Sequence, residues 1–267
     1  MTRSESVDQC GIVNSHECIQ QLLTGSPRLA MSASPDTDNW DPTYPAYYQL
    51  ADVLKSMAQS HAKVNIDDTT LLRWREVMGV MREVDTQYDD TSTSSESILG
   101  ELRGFERFQN RYPHISPTAL GPVTHEHLMS RASRILKLGR FVSEAETPYR
   151  YLRLRAAEAV QTVAVFADTA TDDVLSQPRF AQKFMPGLRS LGIAAYLLDS
   201  AHDISYDYMH NKADLKPTRR FRVQALAASA RHTLPFLPMS LHAPVMQELR
   251  RAAHIRSDRS RYALENK

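Results

Sequence analysis

GLRSLGIAAYLLDSAHDISYDYMHN, residues 187–211, is an apolar run that passes into a series of aspartates without losing helical spacing. Asp199, Asp203 and Asp207 follow one another at four-residue intervals, so they share one face of a predicted helix. Three earlier residues lie on the same face, and two of them are small: Leu188, Gly192 and Ala195. These small residues predict room above the carboxylates for something other than protein.

A second aspartate cluster stands at the end of the helix predicted at 68–91. The apolar stripe of this helix consists of Leu71, Trp74, Met78 and Met81. The same period leads on to Asp85 and Asp89, which lie one turn, or about 6 Å, apart along the axis. Buried like charges are costly unless a cation neutralises them, and Mg²⁺ prefers carboxylate oxygens. The two clusters therefore predict a magnesium site.

Each cluster also has a purely structural interpretation. The first is then a solvated helix end, whose acidic residues mark the exit into the polar loop TSTSSES at 91–97. The second is then a polar helix end whose acids pair with nearby basic side chains, for which the candidates are Lys212, Arg219 and Arg220.

The rest of the chain predicts an all-α protein, because apolar residues recur at helical rather than alternating spacing. The predicted helices are 46–60, 68–91, 95–110, 118–140, 148–170, 173–183, 187–211, 217–233 and 241–262. Prolines fall at or near the breaks between them. We expect a single-domain bundle of about eight or nine helices over 45–267, preceded by an N-terminal tail or lid segment at 1–44.

Composition excludes several classes of protein. Lys and Arg number 32 against 31 Asp and Glu, so no strong global field attracts nucleic acid or an anionic membrane. No glycine-rich phosphate loop is present, and Cys10 and Cys18 give no disulfide framework. Without an apolar leader or a long apolar run, we expect a cytoplasmic protein with no integral membrane segment. The sequence leaves open whether the chain forms a homodimer.

Together the clusters resemble the aspartate motifs of the class I isoprenoid synthase fold, which includes terpene synthases and squalene/phytoene synthases. DTQYDD at 85–90 is similar to the first motif of that family, and DSAHDISYD at 199–207 is similar to the second. In the family, the two motif-bearing helices face each other across a deep central pocket. The resemblance therefore implies an isoprenoid synthase-like helical domain over 45–267.

Two further matches favour terpene synthases within that fold. Arg153 stands 46 residues before Asp199, where terpene synthases place an arginine that senses diphosphate. Arg261 and Tyr262 resemble the Arg-Tyr pair that closes over the diphosphate in that family. The resemblance thus implies Arg153 as a catalytic and diphosphate-binding residue, with Arg261 and Tyr262 as further diphosphate ligands.

The implied activity is that of a carbon–oxygen lyase acting on a phosphate ester. A linear allylic substrate, farnesyl or geranylgeranyl diphosphate, is ionised with release of diphosphate. The resemblance implies a trinuclear Mg²⁺ cluster, bound together with the substrate diphosphate. Its implied ligands are Asp85, Asp89, Asp199, Asp203 and Asp207.

Three alternatives remain. Aspartates in both motifs favour a prenyltransferase or a squalene/phytoene-type condensing enzyme of the same fold. His202 and Asp203 are also compatible with the HD pair of a helical metal-dependent phosphohydrolase, which needs further histidine ligands. The non-catalytic alternative is a helical interaction protein in which Asp85 and Asp199 lie far apart.

Overall fold

The protein is all-α in the residues that its structure, a computed structural model, describes: 44–90, 106–107, 111–209 and 211–242. For 44–49, 82–90 and 206 only the backbone is described. No strand occurs in these ranges, which confirms the prediction of an all-α protein. Three predicted segments lie largely outside the described residues. They are the tail at 1–44, of which only Tyr44 is described, most of the helix predicted at 95–110, and nearly all of the helix predicted at 241–262.

Nine α-helices lie within the described ranges. They are α1 Tyr44–Met57, α2 Asp68–Asp90, α3 Pro117–Leu120, α4 Pro122–Ser143, α5 Pro148–Asp168, α6 Asp172–Leu175, α7 Met185–Met209, α8 Arg219–Thr233 and α9 Leu237–Ser240. A π-helical turn, Ala58–Ala62, continues α1, and another, Phe180–Phe184, leads into α7. No helix among the described residues has the length and apolarity needed to cross a bilayer.

Local sequence signals set where the long helices begin. Proline occupies the first position of α4 and α5, where its missing N–H and fixed φ cost nothing. Thr147 caps α5 by accepting a hydrogen bond from the backbone N–H of Arg150. Thr218 caps α8 in the same way, accepting from the N–H of Phe221. These caps lie at helix boundaries that the sequence predicted.

Trp74 joins α2, α5 and the start of α7. Its side chain is fully buried, and its indole Nε1 donates to the backbone carbonyl of Phe166 at 2.9 Å. The indole meets the Phe166 ring edge-on and stacks with the Phe184 ring. Leu71 and Met78 are also buried, so the inward stripe predicted for α2 is confirmed over this length.

The approach of α5 to α7 is close because α7 carries Gly192 there. A Cβ added at Gly192 would lie 2.5 Å from Cγ2 of Val163 on α5. The expectation that Gly192 leaves room for something other than protein is therefore wrong, since Val163 takes that space. On the far side of α7, Ser229 of α8 donates to the carbonyl of Ala194 at 2.8 Å.

A second apolar cluster lies where α5 begins and α7 ends. It is centred on Phe221 of α8, whose ring meets the Tyr151 ring edge-on at 5.4 Å. Ala201 and Ile204 of α7 complete the contact. The cluster around Trp74 and the cluster around Phe221 thus occupy different parts of the fold, and α5 and α7 contribute to both.

A histidine pair ties the end of α9 to α1 and its π-helical continuation. His61 Nε2 and His242 Nδ1 lie 3.0 Å apart, and His242 Nε2 lies 3.1 Å from the hydroxyl of Ser56. Burial, and then the neighbouring His61, lower the pKa of His242 below its ordinary value of 6.5.

We expect Gly192→Ala to destabilise the fold by about 1–3 kcal/mol, because the added methyl overpacks the α5–α7 contact. Val163→Ala in the same chain should recover part of that loss, since it removes the methyl groups that the new Cβ meets. Urea unfolding of both single variants and the double variant measures the coupling. Strictly additive losses would contradict this packing.

We also expect the melting temperature to fall as the pH drops below the ordinary histidine pKa. The unfolded chain then binds a proton that folded His242 resists, so stability present above pH 6.5 is lost on acidification. His242→Gln should reduce this loss, whereas His127→Gln, at an exposed position on α4, should not. Thermal melts across the acidic range test this, and an unchanged pH profile in His242→Gln would refute it.

Candidate functional site

Arg155 lies at the centre of a buried polar group between α5 and α7. Its side chain is 11% exposed. One guanidinium nitrogen donates to Glu158 on the same helix at 2.7 Å, and another donates to Asp199 on α7 at 3.2 Å. A buried guanidinium is tolerated only with close carboxylates, so this pairing links the two helices.

The guanidinium of Arg155 lies over the ring of Tyr196. The ring centroid lies 4.9 Å from the Arg155 Cζ, within cation–π range. The Tyr196 hydroxyl donates to Thr162 Oγ1 at 2.9 Å, and Thr162 donates to the carbonyl of Glu158. The partners of Arg155 are therefore themselves anchored by α5.

The electrostatics of this group keep the guanidinium charged. Burial alone would lower the pKa of Arg155, but Glu158, then Tyr151 and Asp199, raise it well above its ordinary value. Burial also raises the pKa of Tyr151 to about 12, opposed by Arg155 and assisted by Asp207 and Asp199. Tyr151 thus remains a neutral phenol at neutral pH, surrounded by charged groups of α5 and α7.

The aspartates of the second motif are placed on α7 as expected, although their environments differ. Asp199 is 3% exposed and faces Arg155, whereas Asp203 and Asp207 are half-buried. Asp207 stands in the last turn of α7, where its backbone carbonyl accepts hydrogen bonds from the N–H groups of Lys212 and Ala213. Both Asp207 and Asp199 contribute to the raised pKa of Tyr151.

The other predicted site residues are described only in part. Asp85 and Asp89 belong to α2, but the structure describes their backbone and not their side chains. Arg261 and Tyr262 lie outside the described residues, as does all but Tyr44 of the tail or lid segment predicted at 1–44.

Arg153 is the diphosphate ligand that the resemblance implies. It is exposed, whereas Arg155 is the basic residue of α5 that reaches Asp199. Residues two positions apart on a helix point about 200° away from each other, so Arg153 and Arg155 lie on different sides of α5. Counting residues back from Asp199 does not show which of the two faces α7. The signal that separates them is periodicity: Arg155 precedes buried Ala159, Val163 and Phe166 at helical spacing, which places it on the inner stripe.

The aspartates of α7 have the chemistry to bind a metal ion, but the described side chains do not form a metal site. Carboxylates such as Asp203 and Asp207 are the donors that Mg²⁺ prefers. In the part of the chain that is described with side chains, however, no three His, Cys, Asp or Glu side chains lie close enough to share an ion. Because Asp199 is bound to Arg155, a complete ligand set would need carboxylates from elsewhere.

The phosphohydrolase alternative finds no assembled histidine site in these ranges. His202 is exposed on α7, and no group of metal-ligating side chains forms around it among the described residues. The half-buried histidines that do meet, His61 and His242, are held by contacts between α1, its π-helical continuation and the residues after α9.

We expect Arg155→Met to destabilise the protein by about 3–5 kcal/mol, because Glu158 and Asp199 stay buried without their shared cation. Arg153→Met is the matched control, two residues away on the exposed face, and should change stability by less than about 0.5 kcal/mol. Urea unfolding at neutral pH distinguishes the two. Equal stability of both variants would show that the buried ion pair does not hold α5 to α7.

Comparisons with known proteins add no relative to this picture. No family model, no curated protein and no solved structure matches the chain. The resemblance to the class I isoprenoid synthase fold therefore depends on the motifs and on where the helices place them.

Proposed function

We propose that this chain is a class I terpene synthase that ionises farnesyl or geranylgeranyl diphosphate with Mg²⁺ and releases diphosphate. The observation that carries the proposal is the contact between Arg155 and Asp199. It brings an arginine of α5, a side chain whose chemistry suits phosphate, beside the first residue of the second aspartate motif. In this proposal Arg155 takes the role that the resemblance implied for Arg153.

Arg155 suits an anion that carries several oxygens. Its guanidinium is planar and always charged, and it presents paired N–H groups that match phosphate oxygens two at a time. Glu158 and Tyr196 fix the position and plane of the group. An incoming diphosphate would therefore replace Asp199 as the acceptor without requiring Arg155 to leave its place on α5.

Helix geometry supports bringing the first motif to the same end of the bundle. Thr70 in the first turn of α2 bonds with Thr171 just after α5, and Trp74 meets Phe166, so the two helices run antiparallel. Asp85 and Arg155 each lie eleven residues from that contact, a rise of about 16 Å along their helices. If the two helices stay side by side over this length, as the proposal requires, the backbone of the DTQYDD motif would lie near the level of Arg155.

The implied metal would be held by Asp85 and Asp89 together with Asp203 and Asp207. When bound, Mg²⁺ would stabilise the negative charge that develops on the leaving diphosphate. Asp199 would join this set only after losing Arg155, and Arg155 would then be available to the diphosphate. Arg155, once released from Asp199, would hold the diphosphate in place while the carbon–oxygen bond breaks.

The apolar part of the substrate needs a site that excludes water, because water quenches an allylic cation as an alcohol. The Tyr196 ring packs against Arg155, and the Tyr151 ring, which meets that of Phe221, also belongs to the buried surroundings of α5 and α7. Aromatic faces stabilise cationic charge. Trp74 and Phe166, by contrast, pack in the core near the opposite end of α5.

A condensing enzyme of the same fold is the second candidate. The spacing Asp-x-x-x-Asp occurs in both motifs, at 85–89 and at 199–203, and favours binding of two prenyl diphosphates. Supplying the chain with one prenyl diphosphate, with and without isopentenyl diphosphate, separates the candidates. Cyclic or linear hydrocarbons and alcohols from a single substrate support a terpene synthase, whereas products longer than the substrate support condensation.

The direct test is release of diphosphate from farnesyl or geranylgeranyl diphosphate by the full chain with Mg²⁺, with volatile products identified by mass spectrometry. Chelation of Mg²⁺ should abolish turnover. A chain that neither releases diphosphate nor is stabilised against heat by Mg²⁺ with inorganic diphosphate would contradict the proposal.

Arg155→Lys should lower kcat by about 10²-fold, or about 2–3 kcal/mol, because lysine keeps the charge but loses the paired donors. KM should change less, since these contacts strengthen as the leaving group departs. Arg153→Lys is the control and should turn over like the unaltered chain. Thermal melts must accompany both, and wild-type turnover by a folded Arg155→Lys would remove Arg155 from the mechanism.

A further inference from the structure

The stretch from Leu215 to His242 differs in charge from the chain as a whole. It contains no Asp or Glu, although acidic and basic residues are nearly equal in number over the full sequence. Its five basic residues are all exposed: Lys216, Arg219, Arg220, Arg222 and Arg231. A balanced total charge thus conceals a strongly basic segment.

The same stretch exposes an unusual amount of aliphatic surface. Five of the twelve large hydrophobic side chains that are exposed among the described residues lie here, within 28 positions. They are Val223, Leu226, Leu234, Leu237 and Leu241. The most exposed, Leu234, has 67% of its surface open. Single exposed aliphatics are ordinary, but a concentration of them indicates a binding surface.

Two of these side chains, Val223 and Leu226, lie on the outer side of α8, and the other three follow within eight residues of its end. Phe221, Ala225 and Ser229 are buried toward α7. The opposite side of the helix is centred on Val223, with exposed alanines at 227 and 230. At 100° per residue, Arg220 and Arg231 flank Val223 on one edge and Arg219 on the other. Arg222 lies nearer the inner side and donates to Ser205 of α7 at 2.6 Å. We call the exposed residues of 216–241 the basic apolar face.

We propose that the basic apolar face binds the surface of an anionic membrane. Its leucines would enter the boundary between headgroups and acyl chains, and its arginines would contact lipid phosphates. Helices that combine an apolar stripe with flanking basic residues bind anionic bilayers through these two terms together. This inference concerns a different surface from the Arg155 site and does not depend on the proposed enzymatic activity.

Charge and side-chain type favour a bilayer over the other occupants. A second copy of this chain would bring arginines against arginines, which opposes pairing of the face with itself. Nucleic acid would satisfy the arginines, but it offers no apolar interior for Leu234 and Leu237. Among the described residues near the stretch in sequence, Asp203 and Asp207 are half-buried on α7, and exposed Asp214 precedes it.

The test is co-sedimentation of the full chain with sucrose-loaded vesicles. One set consists of phosphatidylcholine, and the other contains phosphatidylglycerol as well. We expect binding to the anionic vesicles to exceed binding to the neutral ones by about tenfold or more and to weaken as salt is raised.

Two double variants separate the apolar and the basic contributions. Leu234→Ser with Leu237→Ser should reduce partitioning by about tenfold or more, because both side chains lose their apolar burial. Arg219→Gln with Arg220→Gln should reduce binding to anionic vesicles by about tenfold while leaving the weak neutral binding unchanged.

Matched controls alter similar residues on other surfaces. Leu175→Ser changes an exposed leucine of α6, and Arg179→Gln with Arg189→Gln removes two exposed arginines elsewhere. Neither should change vesicle binding. Unchanged melting temperatures establish that the variants are folded.

Several outcomes would overturn the proposal. These are no sedimentation with either vesicle, equal binding to neutral and anionic vesicles, or equal loss in variants and controls. Retention of an RNA or DNA oligonucleotide without vesicle binding would assign the face to nucleic acid. A dimer that forms without vesicles and is lost in Leu234→Ser with Leu237→Ser would assign it to a second copy of the chain.

Discussion

A guanidinium removed from water between two helices needs carboxylates at contact distance, and this requirement determines how α5 meets α7. Arg155 satisfies it with Glu158 from its own helix and Asp199 from the next. Other contacts follow the same antiparallel alignment, as Thr162 meets Tyr196 and Val163 meets Gly192. A shift of one turn along either helix would separate the charges and force Val163 against a side chain. Ion pair and glycine therefore specify a single alignment.

Features that depend on residue spacing within one helix were predicted from the sequence more accurately than contacts between two helices. The inward stripe of α2, the proline and threonine at the start of α5 and the placement of three aspartates on α7 all depend on local spacing. Gly192 was misinterpreted because a small residue signals either a cavity or a close neighbour, and only Val163 decides between them. Arg155 was missed because the family spacing was counted along the chain, whereas inward direction depends on the helical period.

A buried polar group in a helical core can stabilise the fold or bind a ligand, and these two roles place opposite requirements on its charged groups. As structure, it is best when every charge is paired and still, which is how Arg155 lies between its two carboxylates and over Tyr196. As a binding site, it must release one partner to the ligand. Arg155 can serve both because Glu158 belongs to its own helix and keeps it charged when Asp199 is exchanged. Stability and binding are then supported by different carboxylates.

The two sides of α8 connect the polar group with the basic apolar face. On its inner side Phe221 packs on Tyr151. The pKa of the Tyr151 phenol is influenced by Arg155 and by the aspartates of α7. On its outer side the helix exposes Val223 and its neighbours. α8 therefore lies between part of the surface proposed to meet a bilayer and Tyr151, whose pKa depends on the group proposed to hold a diphosphate. A prenyl diphosphate has the same two parts, an apolar chain and an anionic head. A chain that takes such a molecule from a membrane would need an apolar, basic surface and a buried arginine close together.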